Sequence, residues 1–221
     1  MKIIEKNQRF NVKDLRELLA RRKTIRPRFR LPMTTEQAND LLTAAYQAEV
    51  KFRHGSYIDD EATRKNIKSV AECFTKDNPK FGIMLCGTCG NGKTTLLCAF
   101  QNALNYLNAN SYFEEKTGIR IIDAKDVATT MKADSTRTAV RNADMLGIED
   151  MGREATEVMD YGNVSSPIID LLEYRYNNQL FTFITTNLTG KQVRTKYGDR
   201  IADRFNEMLE VVIFGNPTYR K

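Results

Sequence analysis

The chain has 221 residues, enough for one well-buried α/β core plus an appendage, and its 41% hydrophobic and 28% charged content is ordinary for a soluble protein. No apolar run approaches the ~20 residues of a membrane-spanning helix, and the opening Met1-Lys2-Ile3-Ile4-Glu5 turns to charge before a secretory apolar stretch forms, so a cytoplasmic protein is expected. The formal charge of +6 is concentrated in residues 1–33, where eleven Lys or Arg face three Asp or Glu, leaving the rest of the chain near −2.

In chain order, Val12, Leu15, Leu18 and Leu19 have helical spacing, and Arg26-Pro27-Arg28 with Leu31-Pro32 then breaks it. This predicts a basic N-terminal arm over residues 1–33 whose Lys13, Arg21-Arg22-Lys23, Arg26, Arg28 and Arg30 suit nucleic-acid phosphates or an acidic protein; a solvated tail is the plainer alternative. Thr34-Thr35 caps a helix with the stripe Ala38, Leu41, Leu42, Ala45 and Tyr46, and a further helix covers Glu61 to Phe74, so residues 34–78 form a helical extension. From residue 79 to 221 apolar runs alternate with helical patterns. Strands are expected at Phe81–Leu85, Ile119–Ile122, Met145–Ile148 and Phe181–Thr186, and helices at Lys93–Asn108, Asp126–Lys132 and Pro167–Tyr176. Such alternation implies a parallel sheet between helices.

Between the first strand and its helix lies Gly87-Thr88-Cys89-Gly90-Asn91-Gly92-Lys93-Thr94, which matches G-x-x-x-x-G-K-[ST] at every fixed position, roughly a 1% chance event in this length. Glycines let the backbone turn its N–H groups inward, and the helix presents its positive end to phosphate. Lys93 would reach the β- and γ-phosphates of ATP, Thr94 would ligate Mg²⁺, and Thr95 continues the binding loop. Cys86 and Cys89 form a C-x-x-C, but no second pair or nearby His completes a zinc set, since His54 is remote.

Met145-Leu146-Gly147-Ile148-Glu149-Asp150 ends a strand on two acids, as a metal-supported phosphoryl-transfer site requires. The usual order is Asp before the water-polarising acid; here Glu149 stands on the metal side and Asp150 on the water side. That order leaves the rate of cleavage open, slow hydrolysis included. Asn187, after Phe181–Thr186, is placed to orient a water at the γ-phosphate, or is a simple turn residue. Arg200 and Arg204 share a helical face, where one can act as an arginine finger or both can lace a surface helix with Asp199 and Asp203.

Together, the phosphate loop, Leu146-Gly147-Ile148-Glu149-Asp150-Met151-Gly152, Thr185-Thr186-Asn187-Leu188 and Gly198-Asp199-Arg200-Ile201-Ala202-Asp203-Arg204-Phe205 resemble the DnaC/IstB branch of the AAA+ ATPases over residues 80–221. The resemblance implies a P-loop AAA+ (ASCE) core with a five-stranded parallel sheet; the sequence departs from the family's pattern in leaving no room after Arg220 for a full C-terminal lid, so none is expected. It places Glu149 and Asp150 on Walker B, Asn187 on sensor 1 and Arg204 on the arginine finger with Arg200 one turn before it. Arg220, in Pro217-Thr218-Tyr219-Arg220, is implied as a nucleotide sensor, and a helical insertion near Asp126 to Ala133 is implied to line a channel for single-stranded DNA. The expected function is an ATP-hydrolysing loader of a hexameric replicative helicase that self-associates through nucleotide and binds single-stranded DNA. The alternatives are an IstB-like helper of a transposase and a weakly hydrolysing, nucleotide-gated DNA adaptor. A small-molecule kinase fits less well, because 56 residues and an α/β unit separate Lys93 from Glu149.

Overall fold

The computed structural model describes residues 11–22, 27–155, 157–160 and 163–219. Helix α1 (Val12–Arg22) carries its apolar stripe on the outside, with Val12, Leu15, Leu18 and Leu19 all exposed. The chain then turns inward. Leu31 is buried and its N–H donates to the Phe74 carbonyl, while the Phe29 ring meets Phe74, Phe100 and Phe181 edge-on. Residues 27–33 of the predicted arm therefore lie against the core, a contact that helical periodicity does not register in a Pro- and Arg-rich stretch.

Helix α2 (Thr35–Phe52) starts on a capping box in which Thr34 and Gln37 satisfy each other's backbone N–H, and α3 (Glu61–Thr75) starts on Asp60, whose carboxylate accepts from the Thr63 N–H. Strand β1 (Gly82–Gly87) leads through the glycine loop into α4 (Lys93–Ala109). Then come β2 (Ile119–Asp123), a 3₁₀ turn at Ala124–Asp126, the short α5 (Val127–Thr130), α6 (Asp134–Arg141) and β3 (Met145–Met151). A hairpin of β4 (Val158–Asp160) and β5 (Asn163–Ser165) precedes α7 (Pro167–Asn177), and β6 (Phe181–Thr186), α8 (Gly190–Met208) and β7 (Glu210–Phe214) complete the described core. The expected helix over Asp126–Lys132 is thus a 3₁₀ turn plus one α-helical turn, with α6 as a separate element. The three-residue strands of the hairpin are too short for a periodicity to stand out in the sequence, and β7 leaves Val211 and Ile213 exposed on one face.

The five long strands form one parallel sheet in the order β2-β3-β6-β1-β7. Side chains alternate between two cores, as the period of a strand demands. Ile83, Leu85, Phe181, Phe183, Val212 and Phe214 face α2, α3 and α4, whereas Met84, Leu146, Ile148 and Ile184 face α5, α7 and α8. Gly147 lets α4 sit close, because a Cβ there would lie 3.1 Å from both Leu97 and Ile121. One buried cation fastens the second layer: Arg175 of α7 donates to the Phe181, Val140, Arg141 and Ala143 carbonyls and to the Thr182 hydroxyl, so its guanidinium is fully served despite complete burial.

The strand order brings distant segments of the chain together. Strand β6 lies between β1, which feeds the glycine loop, and β3, which ends on the two acids, so the carboxyl ends of all three converge on one edge of the sheet.

Candidate functional site

The glycine loop is shaped by positive φ at Gly87 (156°), Gly90 (78°) and Gly92 (96°), conformations that other residues rarely adopt. Gly92 is doubly constrained, since a Cβ would fall 2.3 Å from the Tyr46 hydroxyl. Lys93, the first residue of α4, is buried and folds back into the loop, where its Nζ donates to the Gly87 carbonyl at 2.9 Å, the Thr88 carbonyl at 2.7 Å and Asn91 Oδ1 at 2.9 Å. Its charge is held in place by neutral acceptors, which are cheap to exchange for phosphate oxygens.

Opposite the loop, β3 pairs regularly with β6 as far as Ile148↔Ile184 and resumes at Met151↔Thr186, so one extra residue is bulged out of β3. Asp150 sits in that bulge with φ 53°. Its N–H, taken out of the ladder, donates to the Thr185 hydroxyl at 2.9 Å, and the Thr186 hydroxyl donates to the Met151 carbonyl at 2.5 Å. The two threonines before Asn187 thereby stitch the bulge to β6. The Asp150 carboxylate pairs with Arg153 Nη1 at 2.7 Å, and Glu149, still in register with Asp123 of β2, is half-buried beside it.

Thr94, Thr95, Glu149, Asp150, Arg153 and Asn187 line a single cavity of about 670 Å³ with loop residues Cys89–Lys93. The cavity is also lined by Tyr46, which abuts Gly92, by Val50, Arg53, Gly55, Ser56 and Ile58 from the end of α2 and the segment after it, and by Thr63 and Tyr219. Burial, with the neighbouring Tyr219, Tyr57 and Asp60, pushes the Tyr46 hydroxyl up to about 12, so it stays protonated. Arg53 is held by Glu49 at 2.7 Å and donates to the Cys98 sulfur at 3.3 Å. The C-terminal segment closes the rear of the loop: the Tyr219 N–H donates to the Gly90 carbonyl, Asn216 donates to the Asn91 carbonyl, and Asn91 donates to the Phe214 carbonyl. The Tyr219 hydroxyl bonds Asp60 and Thr63 at the start of α3. The Thr63 N–H and the Tyr219 hydroxyl keep the Asp60 carboxyl below the usual carboxylate range, against the opposing effect of burial.

Helix α8 is broken at Gly198 (φ 83°, ψ 166°) into two rods. The first rod is tied to the turn after Asp150, because the Tyr197 hydroxyl donates to Glu154 and Lys196 Nζ donates to the Gly152 and Glu154 carbonyls. Burial, then the Glu154 carboxylate, pushes the Tyr197 hydroxyl far above its ordinary value. The second rod carries Arg200 and Arg204, both paired to Glu173 of α7, at 3.1 and 2.8 Å. Arg204 also lies over the Tyr176 ring at 4.8 Å; its side chain is 15% exposed against 71% for Arg200.

No protein-family model matches the sequence, and no curated protein matches it. Among solved structures, the chain superposes on the DnaC helicase loader with a TM-score of 0.54 at 22% identity, covering 71% of this chain and 92% of that one. It superposes on DnaI with a TM-score of 0.58 at 20% identity, covering 87% and 96% respectively. The chain shares its fold with these two proteins. The replication initiator DnaA bound to AMPPCP and single-stranded DNA matches with a TM-score of 0.50 at 20% identity, over 71% of this chain and 47% of that chain.

Within this fold, the structure brings Gly90, Asn91, Gly92, Lys93, Thr94, Thr95, Glu149, Asp150 and Asn187 together around one cavity with Cys89. Gly87 and Thr88 stand behind them as acceptors for Lys93. Arg200 and Arg204 lie apart from that cavity on α8, and Arg220 falls outside the described residues. Thr94 and Glu149 offer the hydroxyl and carboxylate oxygens that suit Mg²⁺, which takes one or two such ligands and fills its shell with phosphate and water. Sequence reading missed Arg153, Arg53 and Tyr46. Arg153 follows the acids at helical-turn distance, and nothing in a string of letters says that a bulge will turn Asp150 toward it.

Proposed function

We propose that the chain is a Mg²⁺-dependent ATPase acting as a loader of a replicative helicase. The carrying observation is that the glycine loop, the two acids and Asn187, separated by up to 100 residues, line one cavity on a sheet in which β6 separates β1 from β3. The triphosphate would lie along the loop N–H groups at the start of α4, with Lys93 exchanging its loop acceptors for phosphate oxygens. Thr94 and Glu149 would hold Mg²⁺, which when bound supplies charge neutralisation across the phosphates. Asn187 orients the attacking water and Asp150 accepts its proton, giving ADP and inorganic phosphate. The lining from Tyr46, Val50 and Ile58 would suit a flat base.

Arg204 of a neighbouring copy would reach the γ-phosphate, which requires it to leave Glu173 and Tyr176; Arg200, one turn earlier, is already exposed. Self-association through nucleotide follows from that arrangement. The likeness to DnaC and DnaI supports a helicase as partner. The likeness to DnaA bound to single-stranded DNA supports contact with such a strand, and on the sequence resemblance the contacting segment would be that near Asp126 to Ala133, which carries Lys132 and adjoins Lys125.

The test is steady-state Mg²⁺-ATP turnover as a function of protein concentration, with and without single-stranded DNA, together with co-purification against a hexameric helicase and a transposase. Turnover that rises with assembly, and capture of the helicase, are expected. Absence of ATP binding sinks the reading outright, and capture of the transposase alone moves the protein to the IstB-like helper. A second reading, a nucleotide-gated adaptor that scarcely hydrolyses, is favoured by one observation: Asp150 is occupied by Arg153. Turnover of ordinary AAA+ magnitude would exclude it.

A further inference from the structure

Three cationic side chains, Arg53, Lys93 and Arg153, line the main cavity. Lys93 belongs to the loop, and Arg53, just past the end of α2, is held by Glu49 and Cys98. Arg153 is different: it lies on the acid side, in the turn that follows Asp150, and its side chain remains 49% exposed while its Nη1 pairs with Asp150. Such an exposed pair, three residues apart, is weak and easily opened. A guanidinium released from a carboxylate prefers phosphate, whose oxygens match its planar donor set and carry more charge.

The bulge explains why the pair exists. A regular strand would send residues 149 and 150 to opposite faces, whereas the αL backbone of Asp150, pinned by Thr185, directs its carboxylate to the turn that carries Arg153. The following Glu154 is buried and fixes the base of that turn: it accepts from the Gly152 N–H at 2.8 Å and from the Tyr197 hydroxyl. Arg153 therefore projects from an anchored base with its head exposed. It can exchange partners without any rearrangement of the core.

We propose that Arg153 is a terminal-phosphate contact supplied by the same subunit, held on Asp150 until a nucleoside triphosphate arrives. Transfer of Arg153 to the phosphate does two things: it makes the site distinguish triphosphate from diphosphate, and it frees the Asp150 carboxylate to accept a proton from water. The inference rests on the reading of this cavity as the nucleotide site and adds to it a residue that the glycine loop and the acids do not supply.

The experiment compares binding of Mg²⁺-AMPPCP and Mg²⁺-ADP to the full chain, to Arg153→Ala and to Arg153→Lys, by calorimetry, with Lys93→Ala as the control for the site itself. Arg153→Ala is expected to weaken AMPPCP binding about tenfold while ADP changes less than about twofold, and Arg153→Lys to recover part of the difference. Equal losses for the two nucleotides, or no loss, overturn the proposal and leave Arg153 as a brace for Asp150. If the unaltered chain binds both nucleotides and Lys93→Ala loses both, the site stands whatever Arg153 does. If the unaltered chain binds neither, the site and the proposal fall together.

Discussion

Lys93 and Arg204, both proposed to meet the same phosphate, are sequestered cations held in opposite ways. Lys93 is fixed by neutral acceptors of its own loop, within six residues of chain, and already lies where a phosphate would bind. Arg204 is fixed by an ion pair and a ring from another helix, and neither is near the cavity of its own subunit. The first arrangement is complete within one chain. On the proposed reading the second would need a neighbouring copy to complete it, Glu173 and Tyr176 occupying the guanidinium within the single chain.

The sharpest way to break this contrast is Arg204→Ala. Turnover of the assembled protein should fall by about 10³-fold, the lower end for an arginine finger, with ATP affinity of the dilute chain unchanged. Single-turnover rates at high protein concentration measure it, and an undiminished rate would return Arg204 to a surface role. Lys93→Ala should act oppositely, weakening ATP and ADP alike by about 100-fold in the dilute chain.

Glu154→Gln probes the connection between the two regions, since Glu154 joins the turn after Asp150 to the first rod of α8. It should cost about 2 kcal/mol in denaturant unfolding, because Tyr197 and Lys196 lose a charged partner at a buried site. Turnover of the assembly should fall by more than nucleotide affinity does. The smallest effect is expected at Asp60→Ala, about 1 kcal/mol for a lost helix cap, with loosening of Tyr219. Because the folded-state value of Asp60 is depressed, its stabilisation is present above the normal carboxylate range near pH ~4 and is lost as pH falls through the lower folded value. Unfolding curves of Asp60→Asn should therefore have a shallower dependence on acid than those of the unaltered chain.

Much of the cavity floor was readable from letters alone. Gly87, Gly90, Gly92, Lys93 and Thr94 are neighbours in sequence, and backbone freedom, a helix start and one amine suffice for a phosphate cradle without reference to distant residues. The alternating strands and helices were likewise legible at β1, α4, β3, α7 and β6, where apolar runs are long enough to have a period. Short elements were not: the β4–β5 hairpin has three residues per strand, and β7 buries only one of its faces, with Val211 and Ile213 exposed. The packing of Phe29 and Leu31 was also hidden, because it depends on Phe74 and Phe100 rather than on any local pattern.

Sequence by itself determined the chemistry of the loop and the identity of the two acids, since these depend on residue type and immediate neighbours. Only tertiary structure decided where the acids point and what occupies them. The bulge that turns Asp150 to Arg153 exists because β3 pairs with β6 on one side of the extra residue and resumes on the other. The burial of Arg204 against Glu173 and Tyr176 likewise follows from the packing of α8 on α7. Both are matters of register and contact between segments distant in the chain, which residue order does not encode locally.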